Sequence, residues 1–505
     1  MSQFNHSRRT LLKSSLITAM GIAIKPSLVK ASSLMSVRTT EKLIDLPIYK
    51  LSALIHKKEI SSHEVVSAFV NRIEEVNASL NAVVAFRPKE ALTEAMIADK
   101  ELSKGNSKGI LHGIPCTIKD SFDTAGIVST GGTSGRAHFI PQKDATVVQR
   151  VKNAGAIIMG KTNTPEFTMS FFTNNLVYGK TFNPYDLQRS PGGSSGGAAA
   201  IVAAGGSPFD IGTDTGGSIR YPAHCCGIVG LKPTAGRVSR AGHIVDYTGV
   251  AQSLTQVGPI TRNVQDANLI YKIIAGVDHI DPYVTPVPIL DNKIDIKKLR
   301  VAYYIDNGIY TPSAATNQTI QKVISILSKV GIPTNEEMPA GIKTQFDEIN
   351  GLNIPIGYLA SGEGFKRMLE KYNSSNNTLG WLATLKNPTS SEMAMLIERV
   401  DTLRSEMLSF WNNNDVLICP VSSMPAPLWS EETRLTPDYF SYTSIYNTLG
   451  WPSIVIRGGS AENGLPIGIQ IVAPPWREDI CINMAKFLET ELGSFGNEMT
   501  QKRFN

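Results

Sequence analysis

The chain runs to 505 residues, 42% hydrophobic and 18% charged, with 42 glycines; it is long enough to bury a large core and too apolar for a disordered or fibrous protein. Its net charge of +5 is local: residues 1–31 hold Arg8, Arg9, Lys13, Lys25 and Lys30 and no acid, which leaves 44 basic and 44 acidic residues in the remainder. A neutral body argues against nucleic acid as the main partner.

In chain order, the first segment reads as an address. Ser7-Arg8-Arg9-Thr10-Leu11-Leu12-Lys13 precedes an apolar stretch from Leu16 to Ile24, with small residues near Ala31 to Ser33. A positive head, a short apolar middle and small residues form an export-signal pattern, and the stretch is too short for a stable membrane span. The paired arginines resemble a twin-arginine signal over residues 1–35. That resemblance implies transient contact with the export machinery and delivery of a folded protein to the periplasm, or a membrane anchor if the signal stays uncleaved.

Residues 42–104 read as helical. Ser61-Ser62-His63-Glu64 is a helix start, Val65, Val66, Phe69, Val70 and Ile73 recur at helical spacing, and a further helix runs from Glu90 to Lys104. After Gly109 short buried strands alternate with helices. Ile114 to Asp120 is an apolar run ending in a charged pair. Strands are expected at Ala156–Gly160, around Ile211, and at Gly227–Leu231, Lys298–Tyr303, Asp415–Pro420 and Leu465–Val472. Helices are expected at Asp144–Ala154, Gly197–Gly205, Val264–Gly276, Ala315–Val330 and Asp479–Glu489. This is α/β order, with strands covered by helices. The stretch 340–410 is helical and richer in long side chains, and no Pro/Ser tract divides the chain around it. The expectation is one catalytic domain over residues 42–495 with a helical variable region at 340–410.

Five scattered cysteines, Cys116, Cys225, Cys226, Cys419 and Cys481, make no disulfide framework and no zinc motif. Two glycine-rich segments stand out instead. Ser190-Pro191-Gly192-Gly193-Ser194-Ser195-Gly196-Gly197 and Gly212-Thr213-Asp214-Thr215-Gly216-Gly217-Ser218-Ile219-Arg220 each end near a helix start, where packed backbone N–H groups can hold negative charge. Neither has the order of a nucleotide-binding loop. Lys119 gives these turns a chemical meaning, because an ammonium buried at a strand end loses proton affinity and a neutral lysine can activate a serine hydroxyl. His224, six residues after Ser218, is the competing base; no serine has the GxSxG elbow.

These segments carry a family resemblance. Gly113-Ile114-Pro115 through Lys119-Asp120, Gly160-Lys161-Thr162-Asn163 through Glu166-Phe167, Pro191 to Gly197, Gly212 to Arg220, Cys226 through Thr234, Gly258-Pro259-Ile260 and Gly464 to Gln470 match the amidase signature family in order and spacing. The likeness covers about residues 45–490. It implies an α/β/α sandwich around a large mixed, mainly parallel twisted sheet and a Ser–cis-Ser–Lys triad. By position the nucleophile is Ser218, the bridging serine after a cis peptide is Ser194 and the base is Lys119. Backbone N–H groups of Thr215, Gly216, Gly217 and Ser218 would form the oxyanion hole, with no cofactor or metal.

Ser195 is expected to support the site by hydrogen bonding, and Asp214 and Arg220 to pair across the second loop. Lys161 and Lys232 read as structural, and Asp120 as a neighbour of Lys119 that points elsewhere or orients it. Met169, Phe171, Phe172, Trp381, Tyr442, Tyr446 and Trp451 are candidate pocket or core residues. The implied partner is a small-molecule amide, and a homodimer is possible. The implied reaction is amide hydrolysis. Its alternatives are an ester or carbamate hydrolase with the same triad, a glutamyl-tRNA amidotransferase A-like subunit, against which the export signal and neutral body speak, and an inactive binding homologue.

Overall fold

The structure, a computed structural model, describes residues 43–245, 253–346, 362–384, 387–432 and 439–493 together with Lys502. The signal-like segment 1–35 and parts of the 340–410 stretch lie outside the described residues. Ser61 opens the helix Ser62–Leu80 with a reciprocal cap: its hydroxyl accepts from the Glu64 N–H, and the Glu64 carboxylate accepts from the Ser61 N–H. Val65, Val66, Phe69, Val70 and Ile73 form its buried face. One piece of the 42–104 stretch is not helical. Val83–Phe86 (β1) pairs antiparallel with Ile157–Thr162 (β3), which runs parallel to Pro115–Lys119 (β2) in a three-stranded sheet ordered β1-β3-β2.

Eight further strands form the main sheet: β4 (Phe209–Asp214), β5 (Val229–Lys232), β6 (Gln256–Thr261), β7 (Val301–Tyr303), β8 (Thr334–Glu336), β9 (Val416–Pro420), β10 (Ser453–Ser460) and β11 (Pro466–Val472). Their spatial order is β4-β6-β5-β10-β11-β9-β7-β8. Helices cover both faces. Ile454 and Ile456 of β10 cluster with the helices Val264–Ile274, Ala314–Lys329 and Glu478–Leu492, while Val455 between them clusters with Gly196–Ala203 and Arg220–Cys226. That alternation is the two-residue period of a strand, and it produces the expected α/β/α arrangement around a large mixed sheet.

The expectation of a mainly parallel sheet is wrong. β4/β6, β5/β6, β5/β10, β10/β11 and β9/β11 are antiparallel, and only β7/β9 and β7/β8 are parallel. Four of these five antiparallel pairs involve two strands whose sequences conceal them. β6 contains Gly258 and Pro259, and β10 contains Gly458 and Gly459, residues that weaken a strand signal. Each lies antiparallel between two strands that share a direction: β6 between β4 and β5, β10 between β5 and β11. Of the strands legible in the sequence, β4, β5 and β11 therefore run the same way without being neighbours, while β7 and β9 run against them, β9 directly beside β11. Helices on both faces also remove the polar–apolar alternation that usually marks antiparallel strands.

The expectation of a membrane anchor is also corrected. A spanning helix needs about 20 apolar residues, and among the described residues no helix is long and apolar enough to cross a membrane. The segment on which that expectation rested lies outside the described residues. Within 340–410, helices run at Gly362–Lys371 and Ser390–Leu408, the second opened by a reciprocal cap between Thr389 and Glu392.

Candidate active site

Three turns converge: the end of β2, the turn before the helix Gly196–Ala203, and the turn after β4. β2 is buried along its whole length, and strand alternation puts Thr117 and Lys119 on one face. Thr117 Oγ1 donates to Asp210 Oδ2 of β4 at 2.7 Å, which fastens the small sheet to the large one directly beneath the lysine. Lys119 Nζ then meets three hydroxyls, donating to Ser194 Oγ at 2.7 Å, Thr213 Oγ1 at 2.8 Å and Ser195 Oγ at 3.0 Å. No part of Lys119 is exposed. Burial pushes its pKa from 10.5 down to about 7, with the charges of Asp210 and Asp214 opposing the shift. Burial in turn pushes Asp210 up to about 6 against hydrogen bonds from Thr117 and Thr162.

The Gly193–Ser194 peptide is cis. Position 193 needs glycine because the neighbouring segment lies directly against it: a Cβ there would stand 2.6 Å from the Ser170 carbonyl oxygen and 2.7 Å from the Phe171 carbonyl carbon. The Ser195 N–H donates to the Ser218 carbonyl at 3.2 Å, tying the second turn to the third. Ser194 and Ser195 are fully enclosed while Ser218 keeps 7% exposure, so Ser218 is the serine of this group that a substrate can reach.

Asp214, the last residue of β4, anchors the third turn. Its carboxylate accepts from the Ile219 and Arg220 N–H groups, from Arg220 Nε at 3.0 Å and from Arg220 Nη2 at 2.9 Å. Asn447 donates to both the carbonyl and the carboxylate of Asp214, and Arg220 donates onward to Gln470 Oε1 at 2.7 Å. Burial raises the Asp214 pKa, but the Arg220 guanidinium, the Lys232 charge and Asn447 outweigh it and hold the carboxyl well below the usual range. Neither member of the pair is exposed. Removing one partner of a buried pair destabilises by about 3–5 kcal/mol, and Arg220→Ala is expected to lower the unfolding free energy by about that much in a denaturant titration.

Thr443 holds the same turn from outside, donating from Oγ1 to the Gly216 carbonyl at 2.5 Å. Gly217 has φ of +139°, and a Cβ there would lie 2.4 Å from Thr443 Oγ1, so only glycine fits. The N–H groups further along are occupied: those of Ile219 and Arg220 by Asp214, that of Tyr221 by the Gly217 carbonyl. Among the described residues no acceptor takes those of Gly216, Gly217 or Ser218. They remain free for an anionic oxygen.

The other candidates fall elsewhere. His224 Nδ1 accepts from the Gly468 N–H at 2.9 Å, which leaves Nε2–H for the Met424 carbonyl at 3.0 Å. Burial lowers its pKa to about 4, and neither nitrogen is left to serve Ser218. Asp120 points away from Lys119, accepting from the Thr130 and Gly131 N–H groups and lying 4.0 Å from Lys161 Nζ. Lys161 donates to the Phe122 carbonyl, Thr124 and Ser129, and Lys232 to the Pro233 carbonyl. Cys226 is a packed thiol directed at the Pro191 carbonyl, and all five cysteines are buried and unpaired. Tyr442, Tyr446 and Trp451 are core, whereas Trp381 is exposed.

Thr213 and Asp210 were not singled out from the sequence. Thr213 lies inside the second glycine-rich segment, but a threonine in a strand is ordinary; its contact with Lys119 requires β2 and β4 to meet. Removing a hydroxyl that accepts from the ammonium favours the neutral amine. Thr213→Val is therefore expected to move the acidic limb of the activity profile down by about one pH unit, as read by kcat/KM against pH.

The amidase family profile matches residues 64–482. The A subunit of glutamyl-tRNA(Gln) amidotransferase from Caldanaerobacter subterraneus subsp. tengcongensis is 33% identical over 482 residues, covering 89% of this chain and 96% of that one. Among solved structures, 6-aminohexanoate cyclic dimer hydrolase in complex with substrate gives a TM-score of 0.80 at 25% identity, over 91% of this chain and 100% of its own. The peptide amidase PAM in complex with chymostatin gives 0.75 at 26%, over 88% and 97%.

Proposed function

The chain belongs to the amidase family, and from that premise we propose that it cleaves the C–N bond of a carboxylic amide through an acyl-enzyme on Ser218, with Lys119 as base and Ser194 as proton relay. The observation that carries this reading is the enclosed Lys119 amine among three hydroxyls, with its pKa lowered to about 7. A neutral amine has two N–H donors and one lone pair, so one of three neighbouring hydroxyls donates to it. Ser195 directs its proton to the Thr213 carbonyl at 3.3 Å. Of the remaining two, Ser194 belongs to the turn that is bonded to Ser218.

As Lys119 draws the Ser194 proton, Ser194 takes that of Ser218, and Ser218 Oγ attacks the carbonyl carbon. Negative charge collects on the carbonyl oxygen opposite the N–H groups of Thr215 to Ser218, where one donor is worth about 3 kcal/mol. The proton returns through Ser194 to the nitrogen, which leaves as ammonia or an amine; unprotonated, it would leave badly. Water then attacks the acyl group by the same relay and releases the carboxylate. Ser195 is the third point of contact on the amine, and the Asp214–Arg220 pair keeps the oxyanion turn in place.

The same acyl-enzyme would also form from an ester or carbamate. A second reading has more support from the curated relatives than from the sequence alone: their amidotransferase name favours a protein that passes the amide nitrogen to another substrate. Purified full-length chain, incubated with acetamide, phenylacetamide, glutamine and a matched ester, separates these readings by ammonia release and by fluorophosphonate labelling of Ser218. Ammonia from simple amides with an adduct on Ser218 is the expected result. Ester turnover without ammonia, or ammonia from glutamine alone, would replace it with the corresponding alternative.

A further inference from the structure

Phe171 is clamped between the two catalytic turns. Its backbone lies against Gly193, beside Ser194, and its ring tip reaches the oxyanion turn: a Cβ placed on Gly216 would stand 3.5 Å from Phe171 Cζ. Phe440 stacks on that ring, with centroids 5.3 Å apart and planes at 11°, and Tyr221 meets it edge-on at 5.8 Å. Phe440 is fixed to the same turn, because the Thr443 N–H donates to its carbonyl at 3.0 Å while the Thr443 hydroxyl holds Gly216. Phe346 extends the wall beyond Phe440 at 5.8 Å. Tyr221 and Phe346 are buried, but Phe171 and Phe440 are only half-buried. Both rings thus keep part of their apolar surface exposed beside the turn that bears the nucleophile. The charges nearest Ser218 in sequence, Asp214 and Arg220, are enclosed and committed to each other.

We propose that Phe171 and Phe440 form an acyl subsite that selects amides of apolar, preferably aryl-bearing, carboxylic acids over amides of charged ones such as glutamine. This rests on the amide reading of the Ser218 site. The leaving nitrogen has to face Ser194 to receive its proton, so the acyl group lies on the other side of the carbonyl, along the Gly216 face where the two rings stand. Offset stacking and apolar contact reward an aryl group there, whereas an ammonium and a carboxylate would lose water against ring faces without gaining partners.

The test is kcat/KM of the full-length chain for phenylacetamide, acetamide, glutamine and acetanilide, in wild type and in the variants Phe171→Ala, Phe440→Ala and Phe440→Leu. Wild type is expected to prefer phenylacetamide to acetamide by about tenfold or more. Each alanine variant should remove most of that preference, with Phe440→Leu, which keeps apolar volume but loses the flat face, in between. A wild-type enzyme that hydrolyses acetamide or glutamine as well as phenylacetamide overturns the proposal. So does a ratio unchanged in both alanine variants, or a preference seen for acetanilide instead, which would place the rings on the leaving-group side. If an alanine variant does not fold, the wild-type comparison decides alone. No ammonia from any amide and no fluorophosphonate adduct on Ser218 would remove the amide reading itself, and the subsite with it.

Discussion

Ser218→Ala is expected to lower kcat for amide hydrolysis by roughly 10^4- to 10^6-fold and to abolish fluorophosphonate labelling. The effect is large because the substitution removes the atom that forms the acyl bond, and no neighbouring hydroxyl can replace it. Ser194 and Ser195 are fully enclosed, and both hydroxyls are engaged with the lysine amine. Folding should survive, since the Ser218 carbonyl, not its hydroxyl, bonds to the Ser195 N–H. A variant that turns over amide at close to the wild-type rate would remove Ser218 from the mechanism; unfolding transitions of the two proteins measured side by side exclude collapse of the site as the cause.

Lys119→Met is expected to lower kcat/KM by roughly 10^3-fold or more and to remove the acidic limb of the pH profile. Methionine keeps most of the side-chain volume, so the change is aimed at the amine. The sign follows from the base role. Lys119 works only when neutral, and burial brings its pKa to about 7. Wild-type kcat/KM should therefore fall about tenfold per pH unit below that value and level off above it. In an exposed site, with the pKa of a free lysine at about 10.4, the same limb would extend into alkaline solution. A wild-type profile that is flat between pH 5 and 8, or a methionine variant that retains the limb, would show that another group supplies the base. Asp210 is the charge that acts most strongly on Lys119, and burial raises its own pKa to about 6. A residual limb in the methionine variant close to pH 6 would be traced to it by Asp210→Asn.

The turns of the candidate site were more legible in the sequence than the sheet that holds them. Ser194 and Ser218 lie in glycine-rich turns because backbones approach there too closely for a Cβ, as at Gly193 and Gly217, and a local steric demand of that kind leaves a local record. Lys119 ends a run of buried residues, which already predicts a depressed pKa. Asp214 and Arg220 are six apart on one turn, close enough for pairing to be anticipated. His224 could not be dismissed from the sequence, because what occupies its two nitrogens comes from Gly468 and Met424, more than 190 residues away in the chain.

By itself, then, the sequence determined most of the helices, most of the strands and the glycine turns, since each depends on residues within a few positions of one another; Lys119, Ser194 and Ser218 were joined into one group only by the family resemblance. Tertiary structure decided the rest. Most of the antiparallel pairing came from β6 and β10, which are weak strands in isolation and are stabilised by neighbours on both sides, and the rest from β9 lying against β11. The third hydroxyl on Lys119, from Thr213, and the carboxylate beneath it, from Asp210, came from the meeting of β2 with β4. The pairing of Phe171 with Phe440 joins residues 269 positions apart. Such contacts leave no periodicity to read, because their geometry is set by how the layers pack and not by the spacing of residues along the chain.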